Sequence, residues 1–281
     1  MSTVIHYDIV VIGSGPAGQK AAIQGAKAGK HVAMIEREPG VGGGCVYRGT
    51  IPSKTLRESA LQADRMKRSA TTLDMPIPSN IMVSTLMRHL DEVVTSHGDY
   101  MMNQLTRNGV ILFHGRAQFL SDRLIELLTV DGMKQTLTAD TIVIATGSRP
   151  RAPVEIPIDH EHILDSDSIL SMIYLPRSLT VLGGGIIALE YASIFASLGV
   201  QVTIIDRADR PLQFFDGELV RMFVQSFEQA NGRYCGGQAV KDVQWDGISQ
   251  VVTTIQNGQT FTSDKMLVAV GRQANVEELN L

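Results

Sequence analysis

The stretch Val41-Gly-Gly-Gly-Cys45-Val-Tyr-Arg-Gly49-Thr50-Ile-Pro-Ser-Lys54 gathers groups that could do chemistry. Cys45 offers a thiol and Lys54 a cation. Gly42, Gly43 and Gly44 let the backbone approach a flat or charged ligand closely. Pro52 suits the first turn of a helix, with Thr50 or Ser53 as its cap. Lys54 then lies on that helix, aimed back at whatever the glycine loop holds. A third candidate is Glu190, set among Ile187, Leu189, Ala192 and Phe195. A carboxylate in such apolar company needs a partner. The second cysteine, Cys235 in Tyr234-Cys-Gly-Gly, reads as structural.

These residues need elements to position them. Ile5 to Ile12 reads as a buried parallel strand, rich in Val and Ile. Gly13-Ser-Gly15-Pro-Ala-Gly18 follows at once, then a helix to about Ala28, a stop at Gly29, and a strand from His31 to Ile35 that ends at Glu36. This is a βαβ dinucleotide fingerprint. The first glycine permits the tight turn, and the second lets a pyrophosphate sit on the helix N-terminus. The third lets helix and strand pack closely, and Glu36 can accept from a ribose diol.

The unit recurs. Leu179 to Leu182 is a strand, followed by Gly183-Gly-Gly185-Ile-Ile-Ala188, a helix to Leu198, a stop at Gly199, and a strand from Val200 to Ile205 that ends at Asp206. Positions 13 and 36 are 23 apart, as are 183 and 206. The stops at 29 and 199 are 170 apart, as are the first glycines at 13 and 183. One chain therefore carries two dinucleotide sites. In the second, Asp206 can accept from a 2′-hydroxyl, which suits NAD(H). Arg207 and Arg210 read either as partners of a 2′-phosphate, which suits NADP(H), or as solvated loop charges.

Between the two units, residues 57–108 read as helical. One helix is expected from Ser53 to about Arg68, a polar turn near Asp74 to Asn80, and a second helix from Val83 to Arg107. The stripe Leu86, Leu90, Val93, Met101 and Leu105 is core-like. Val110 to Leu128 and Gln135 to Ile144 read as short strands of a meander, with Asp131-Gly132 as a turn. Ala145-Thr-Gly-Ser-Arg-Pro150 follows the strand Thr141 to Ile144, and Lys265 to Val270 is a strand before Gly271.

Composition bounds the function classes. The 281 residues suit about two domains, and 44% hydrophobic residues allow ordinary cores. A net charge of −4 gives no nucleic-acid footprint. Two distant cysteines make no disulfide scaffold, and no metal-type Cys/His spacing occurs. Asp8 interrupts the N-terminal apolar stretch, so no signal peptide is expected, and no apolar run suits a membrane span. The expectation is a soluble cytoplasmic protein.

From Tyr7 to Asn275 the chain resembles the flavoprotein disulfide reductases with two dinucleotide domains. The resemblance rests on the Cys45-to-Lys54 segment, Ala145-Thr-Gly-Ser-Arg-Pro150, Asp165-Ser-Asp-Ser-Ile-Leu and Gly271-Arg-Gln-Ala-Asn275, where Ala274 replaces the usual proline. The family's second redox cysteine falls at Thr50, which has no sulfur, so the disulfide relay is lost. Within the family, Gly-Cys-x-x-x-Gly-Thr-Ile-Pro-Ser-Lys is most similar to the soluble transhydrogenase branch. The resemblance implies an α/β fold of two Rossmann-like domains, the NAD(P) domain inserted in the FAD domain. It assigns residues 1–150 to the FAD domain, 151–270 to the NAD(P) domain and 271–281 to the returning FAD segment.

It also implies FAD, NAD(H) and NADP(H) as cofactors and hydride exchange between NADPH and NAD as the reaction. A lipoamide-dehydrogenase-like enzyme, an NAD(P)H diaphorase or oxidase, and a non-catalytic dinucleotide-binding fragment stand as alternatives. The catalytic residues implied are Cys45 over the flavin, Lys54 near flavin N5 and Glu190 paired with Lys54. Those implied for cofactor binding are Gly13, Gly15, Pro16, Ala17, Gly18, Glu36, Arg37, Gly42, Gly43, Gly44, Cys45, Lys54, Ala117, Thr146, Gly147, Ser148, Gly183, Gly185, Ile186, Ile187, Glu190, Asp206, Arg207 and Gly271. Ile186 stands where some relatives place a tyrosine. Complete members add a strand ending in Gly-Asp and a dimerisation domain, and are homo-oligomers. The sequence therefore resembles a C-terminally truncated member, for which weak FAD retention or poor solubility is expected.

Overall fold

The strand β1 (Ile5–Ile12) has Val10 and Val11 both fully buried on its opposite faces. A computed structural model describes residues 4–73 and 83–281; the polar turn expected near 74–80 lies outside them. The chain divides into two units. Unit 1 holds residues 1–51, 91–149 and 273–281, and unit 2 holds residues 52–90 and 150–272.

In chain order, β1 is followed by α1 (Pro16–Lys27), β2 (Val32–Glu36), α2 (Gly43–Tyr47), α3 (Thr50–Thr72) and α4 (Val83–Arg107). Then come β3 (Ile111–Ser121), β4 (Leu124–Thr129), β5 (Lys134–Ile144) and the short β6 (Ser148–Pro150). β1 pairs in parallel with β2 and with β5, and β2 with β3. β4 runs antiparallel to both β3 and β5, so the five strands close into a ring. Alternation of side chains along β1 divides the core in two. Val10 and Ile12 face Ala33, Ile125, Leu127 and Leu137, a cluster that Tyr7 joins from the start of the strand. Val11 faces Ala22 and Ile23 of α1 and Leu105 of α4.

The short strands expected within residues 110–128 are β3 and β4, separated at Asp122 and Arg123. Several boundaries differ from the sequence reading. α3 begins at Thr50 and runs to Thr72, so Ser53 is its fourth residue and not its cap. The glycine-rich stretch read as a loop contains the one-turn helix α2. It forms because Gly42 (φ 129°) and Gly43 (φ 60°) make a turn that L-residues resist, after which Val46 is fully buried. A Cβ on Gly42 would fall 2.4 Å from Val46 Cγ2, so only glycine leaves room for that side chain.

Unit 2 is built on β7 (Ile163–Asp165), β8 (Ser178–Leu182), α5 (Ile186–Ser197), β9 (Gln201–Ile205), α6 (Gly217–Gln229) and β10 (Gly232–Cys235). The strands β11 (Val240–Trp245), β12 (Val251–Ile255), β13 (Thr260–Ser263) and β14 (Lys265–Val268) follow; β15 (Arg272–Ala274) comes last in the chain, with Gln273 and Ala274 in unit 1. The parallel sheet has the order β10-β9-β8-β14-β7. Strands β8, β9 and β10 step outward through α5 and α6, a βαβαβ half of a dinucleotide fold with both helices on one face. β14 then returns to the other side of β8.

α5 is apolar nearly all round, with Ala188, Leu189, Tyr191, Ala192, Ile194 and Phe195 buried. It shares one core with Leu179 and Val181 of β8 and with Leu56 and Ala60 of α3. The opposite face of the sheet packs Met266 and Val268 against Val243, Val251 and Ile255 of the antiparallel β11-β12-β13 sheet.

Candidate functional site

Both βα turns have the same construction. Gly13 has φ 101° and Gly183 φ 113°. A Cβ on Gly13 would meet Ala145 O at 2.4 Å, and one on Gly183 would meet Ala269 O at 2.6 Å. Each first glycine thus lets its turn pass close over the end of the neighbouring parallel strand. A Cβ on Gly18 would lie 1.9 Å from Gly13 O, so α1 packs against its own turn at bare backbone. The middle glycines differ in kind. Gly15 and Gly185 cap α1 and α5 in extended conformation without side-chain cap bonds, and a Cβ on either would meet nothing within 4 Å. Space is therefore left in front of two helix N-termini, where backbone N–H groups and the helix dipole favour an anion.

Each second strand ends in its acid. Glu36 is 5% exposed; its Oε2 accepts from the Ser14 amide at 2.8 Å and the Ser14 hydroxyl at 2.6 Å, and its Oε1 accepts from the Glu38 amide at 2.9 Å. The Ser14 hydroxyl oxygen also accepts from the Gly42 amide at 3.1 Å. The acid, the first turn and the Gly42-Gly43-Gly44 segment are thereby tied together within unit 1. Gly43 comes so close to the turn that its Cβ would lie 2.9 Å from Gly15 Cα. Pro16 and Ala17 lie exposed on the first turn of α1 and Arg37 beside Glu38, while Cys45 is half-buried in α2.

Gly147 (φ 68°) follows β5, and the returning segment holds this turn. Asn275 donates its amide to Gly147 O and its side-chain nitrogen to Thr146 O, both at 3.0 Å. Ser148 opens β6. Ala117 has its side chain in the unit 1 core.

In unit 2, Asp206 takes the place that Glu36 takes in unit 1. Its backbone is fixed by Asp206 N to Cys235 O at 3.0 Å and Gln238 N to Asp206 O at 2.8 Å. Arg207 is exposed beside it. Arg210 spends its donors on the following loop, giving bonds to Gln213 O at 2.9 Å and Phe215 O at 3.2 Å. Ile186 is 58% exposed at the start of α5, followed by the half-buried Ile187. Gly271 (φ 124°) precedes β15 and accepts from the Arg151 amide at 3.0 Å.

Unit 2 also brings Lys54 and Glu190 together as an ion pair through Nζ and Oε1. The Glu190 side chain is 17% exposed and that of Lys54 58%. Ser53, which is buried, donates its hydroxyl to the same Oε1 at 3.2 Å. The carboxylate expected to need a partner thus has two, from successive residues of α3. Ser53 was legible only as a helix cap, because nothing in the spacing shows that α3 lies against α5. Cys45 and Cys235 are both free thiols, and burial pushes that of Cys235 up. Among the described residues there is no cluster of three or more His, Cys, Asp or Glu that could hold a metal, and no helix long and apolar enough to cross a membrane.

Comparison with known proteins gives consistent relatives. The family described as pyridine nucleotide-disulphide oxidoreductase matches residues 7–280. The soluble pyridine nucleotide transhydrogenase of Mycobacterium bovis BCG Pasteur is 40% identical over 280 residues, covering 98% of this chain and 59% of its own. That of Azotobacter vinelandii is 36% identical, covering 99% and 60%. Among solved structures, LpdA from Mycobacterium tuberculosis superposes with a TM-score of 0.88 at 26% identity. The copper(II) complex of the HOCl-induced flavoprotein disulfide reductase RclA from Escherichia coli gives 0.85 at 27%. These cover 98% of this chain and 60% and 58% of theirs. The chain therefore spans about 60% of the length of the relatives it matches.

Proposed function

Because the chain belongs to the pyridine nucleotide-disulphide oxidoreductase family, we propose that it serves hydride exchange between NADPH and NAD through bound FAD. One observation carries the reading. Two equivalent dinucleotide turns stand on one chain, while the position for a second redox sulfur is Thr50. One turn for FAD and one for a nicotinamide dinucleotide suit hydride exchange by two nicotinamides in succession, and a lone Cys45 cannot complete a disulfide relay. The 40% and 36% identical relatives are named for transhydrogenation.

The residues fit the cofactors on geometric grounds. In unit 1, Gly15 leaves the α1 N-terminus open for a pyrophosphate, and Gly42 to Gly44 bring bare backbone beside it. Glu36 is preset by Ser14 for a ribose diol. These residues would hold FAD, which would supply the hydride-accepting and hydride-donating chemistry. In unit 2, the N-terminus of α5 would hold a dinucleotide pyrophosphate, and Asp206 and Arg207 would recognise the adenosine ribose. Lys54 provides a fixed cation that stabilises negative charge developing in the reaction, and Glu190 with Ser53 holds it in place. Protein catalysis here is positioning and electrostatics. The site of action is proposed to be the cytoplasm.

The test is an anaerobic spectrum of the purified chain with FAD. Flavin bands that bleach with NADPH and recover on adding NAD support the reading. Bands that bleach and recover only with oxygen point to an oxidase instead. A chain that stays colourless after FAD is added and the excess removed would sink the proposal for this chain.

A further inference from the structure

We propose that Tyr234 is a positioning residue for Asp206, and that together with Gly184 it sets unit 2 to prefer a dinucleotide bearing a free 2′-hydroxyl. This inference rests on reading unit 2 as a nicotinamide dinucleotide module.

The two halves of the repeat hold their acids by different means. In unit 1 the residue between the first two glycines is Ser14, whose amide and hydroxyl both donate to Glu36. The equivalent residue in unit 2 is Gly184, which has no hydroxyl to give. Asp206 is also one methylene shorter than Glu36, so its carboxylate stays close to the turn. A Cβ on Gly184 would lie 2.0 Å from Asp206 Oδ2 and 2.8 Å from its Cγ. The carboxylate therefore occupies the volume that any side chain at 184 would take.

The donor comes from elsewhere in the chain. Tyr234, on β10, places its hydroxyl 3.2 Å from Asp206 Oδ2 and 3.0 Å from Ala208 O. Its one proton is shared between the two acceptors. The phenol thus bridges the acid and the loop that carries Arg207. Burial and the nearby Asp206 carboxylate push the phenol up, so it remains a donor through neutral pH. The Asp206 backbone is already pinned on both sides, by Cys235 and Gln238. Side-chain rotation is the freedom left to it, and Tyr234 and Gly184 both act on that rotation.

A carboxylate held in this way accepts from a 2′-hydroxyl and repels a 2′-phosphate. One released from Tyr234 can turn away, and Arg207 then meets a 2′-phosphate with less opposition. The effect belongs to nucleotide choice, not to folding.

The experiment is calorimetric titration of the full chain with NADH and with NADPH. Four proteins are compared: the unaltered chain, Tyr234→Phe, Asp206→Asn and the double variant. Tyr234→Phe is expected to weaken NADH binding about tenfold, the scale of one hydrogen bond to a charged group. NADPH binding should stay within about twofold, or tighten. In the Asp206→Asn background the same change should move NADH binding by less than about twofold, because the residue it positions is gone. Gly184→Ala displaces the carboxylate without touching the phenol and should shift preference the same way. Equal weakening of both nucleotides by Tyr234→Phe would mean general structural support and would overturn the inference. So would no change in either, or a full effect persisting in Asp206→Asn. Binding of neither nucleotide by the unaltered chain would remove the dinucleotide reading of unit 2 and the inference with it.

Discussion

Tyr191 sits beside Glu190 on α5 at 3% exposure, and its hydroxyl has no hydrogen-bond partner among the described residues. Burial pushes that phenol far up, with Glu190 and Asp167 adding to the effect. A buried hydroxyl left unpaired costs about 1–3 kcal/mol, whereas the ring around it contributes packing. Tyr191→Phe removes the cost and keeps the ring, so it should raise stability by about 1 kcal/mol in a denaturant titration. A loss of stability would show that the hydroxyl has a partner after all. Lys54 has the opposite character, being half in solvent and paired. Under the role proposed for it, Lys54→Met should slow anaerobic flavin bleaching by NADPH by about 10²-fold, the scale of losing one electrostatic contact. FAD affinity by spectral titration should change little. Equal loss of affinity and rate would make Lys54 a binding residue. At this scale the sequence showed that Glu190 needs a partner, because charge in apolar company is legible from composition. Ser53 and Tyr234 were not legible, since each reaches its acid across 137 and 28 residues respectively.

The glycines of the first turn separate packing from binding. Gly18 meets backbone at 1.9 Å, whereas Gly15 faces open space. Gly18→Ala must therefore distort the turn, costing about 1–3 kcal/mol or more. Gly15→Ala should cost less than about 1 kcal/mol, since its φ of −63° suits alanine. Its methyl group would still enter the space in front of α1, so FAD affinity should fall about tenfold or more. Thermal melts and FAD titrations of the two variants check this; similar melts for both would refute the distinction. The repeat itself was legible because glycine at positive φ leaves a mark at fixed spacing. The one-turn α2 was not, because it depends on where Val46 is buried. Nor were β11 to β13, whose pairing shifts register between Val240 and Asp242 and so blurs their alternation.

The returning segment carries a pH-sensitive contact. Arg149 meets Glu277 with two bonds, at 2.9 and 3.0 Å. That contact holds the Glu277 carboxyl down to about 2. Its folded value lies below its unfolded one. The contribution is therefore present above pH ~4.3 and fades as pH falls toward the folded value. Glu277→Gln should flatten the acid limb of a stability-against-pH curve. The pair is exposed, so the difference should shrink in high salt. An acid limb unchanged by the substitution would remove Glu277 from the account.

At the scale of the whole molecule, each unit has its own sheet built on parallel strands, closed in unit 1 by the antiparallel β4, and its own cores and glycine turn. A net charge of −4 does not attract anionic cofactors, so the binding proposed at α1 and α5 rests on local backbone amides. Local sites predict local stabilisation. A ligand at a hundred times its Kd stabilises the state that binds it by about 2.7 kcal/mol. Saturating FAD should therefore slow amide hydrogen exchange around residues 13–18 and 36–45 of unit 1. Saturating NADH should instead slow exchange around residues 183–190 and 206–210 of unit 2. The two patterns should be separable because exchange reports opening of each cooperative unit by itself. If FAD and NADH protect the same unit, the two turns are not independent dinucleotide sites. The repeat would then record how the fold is built rather than two binding functions.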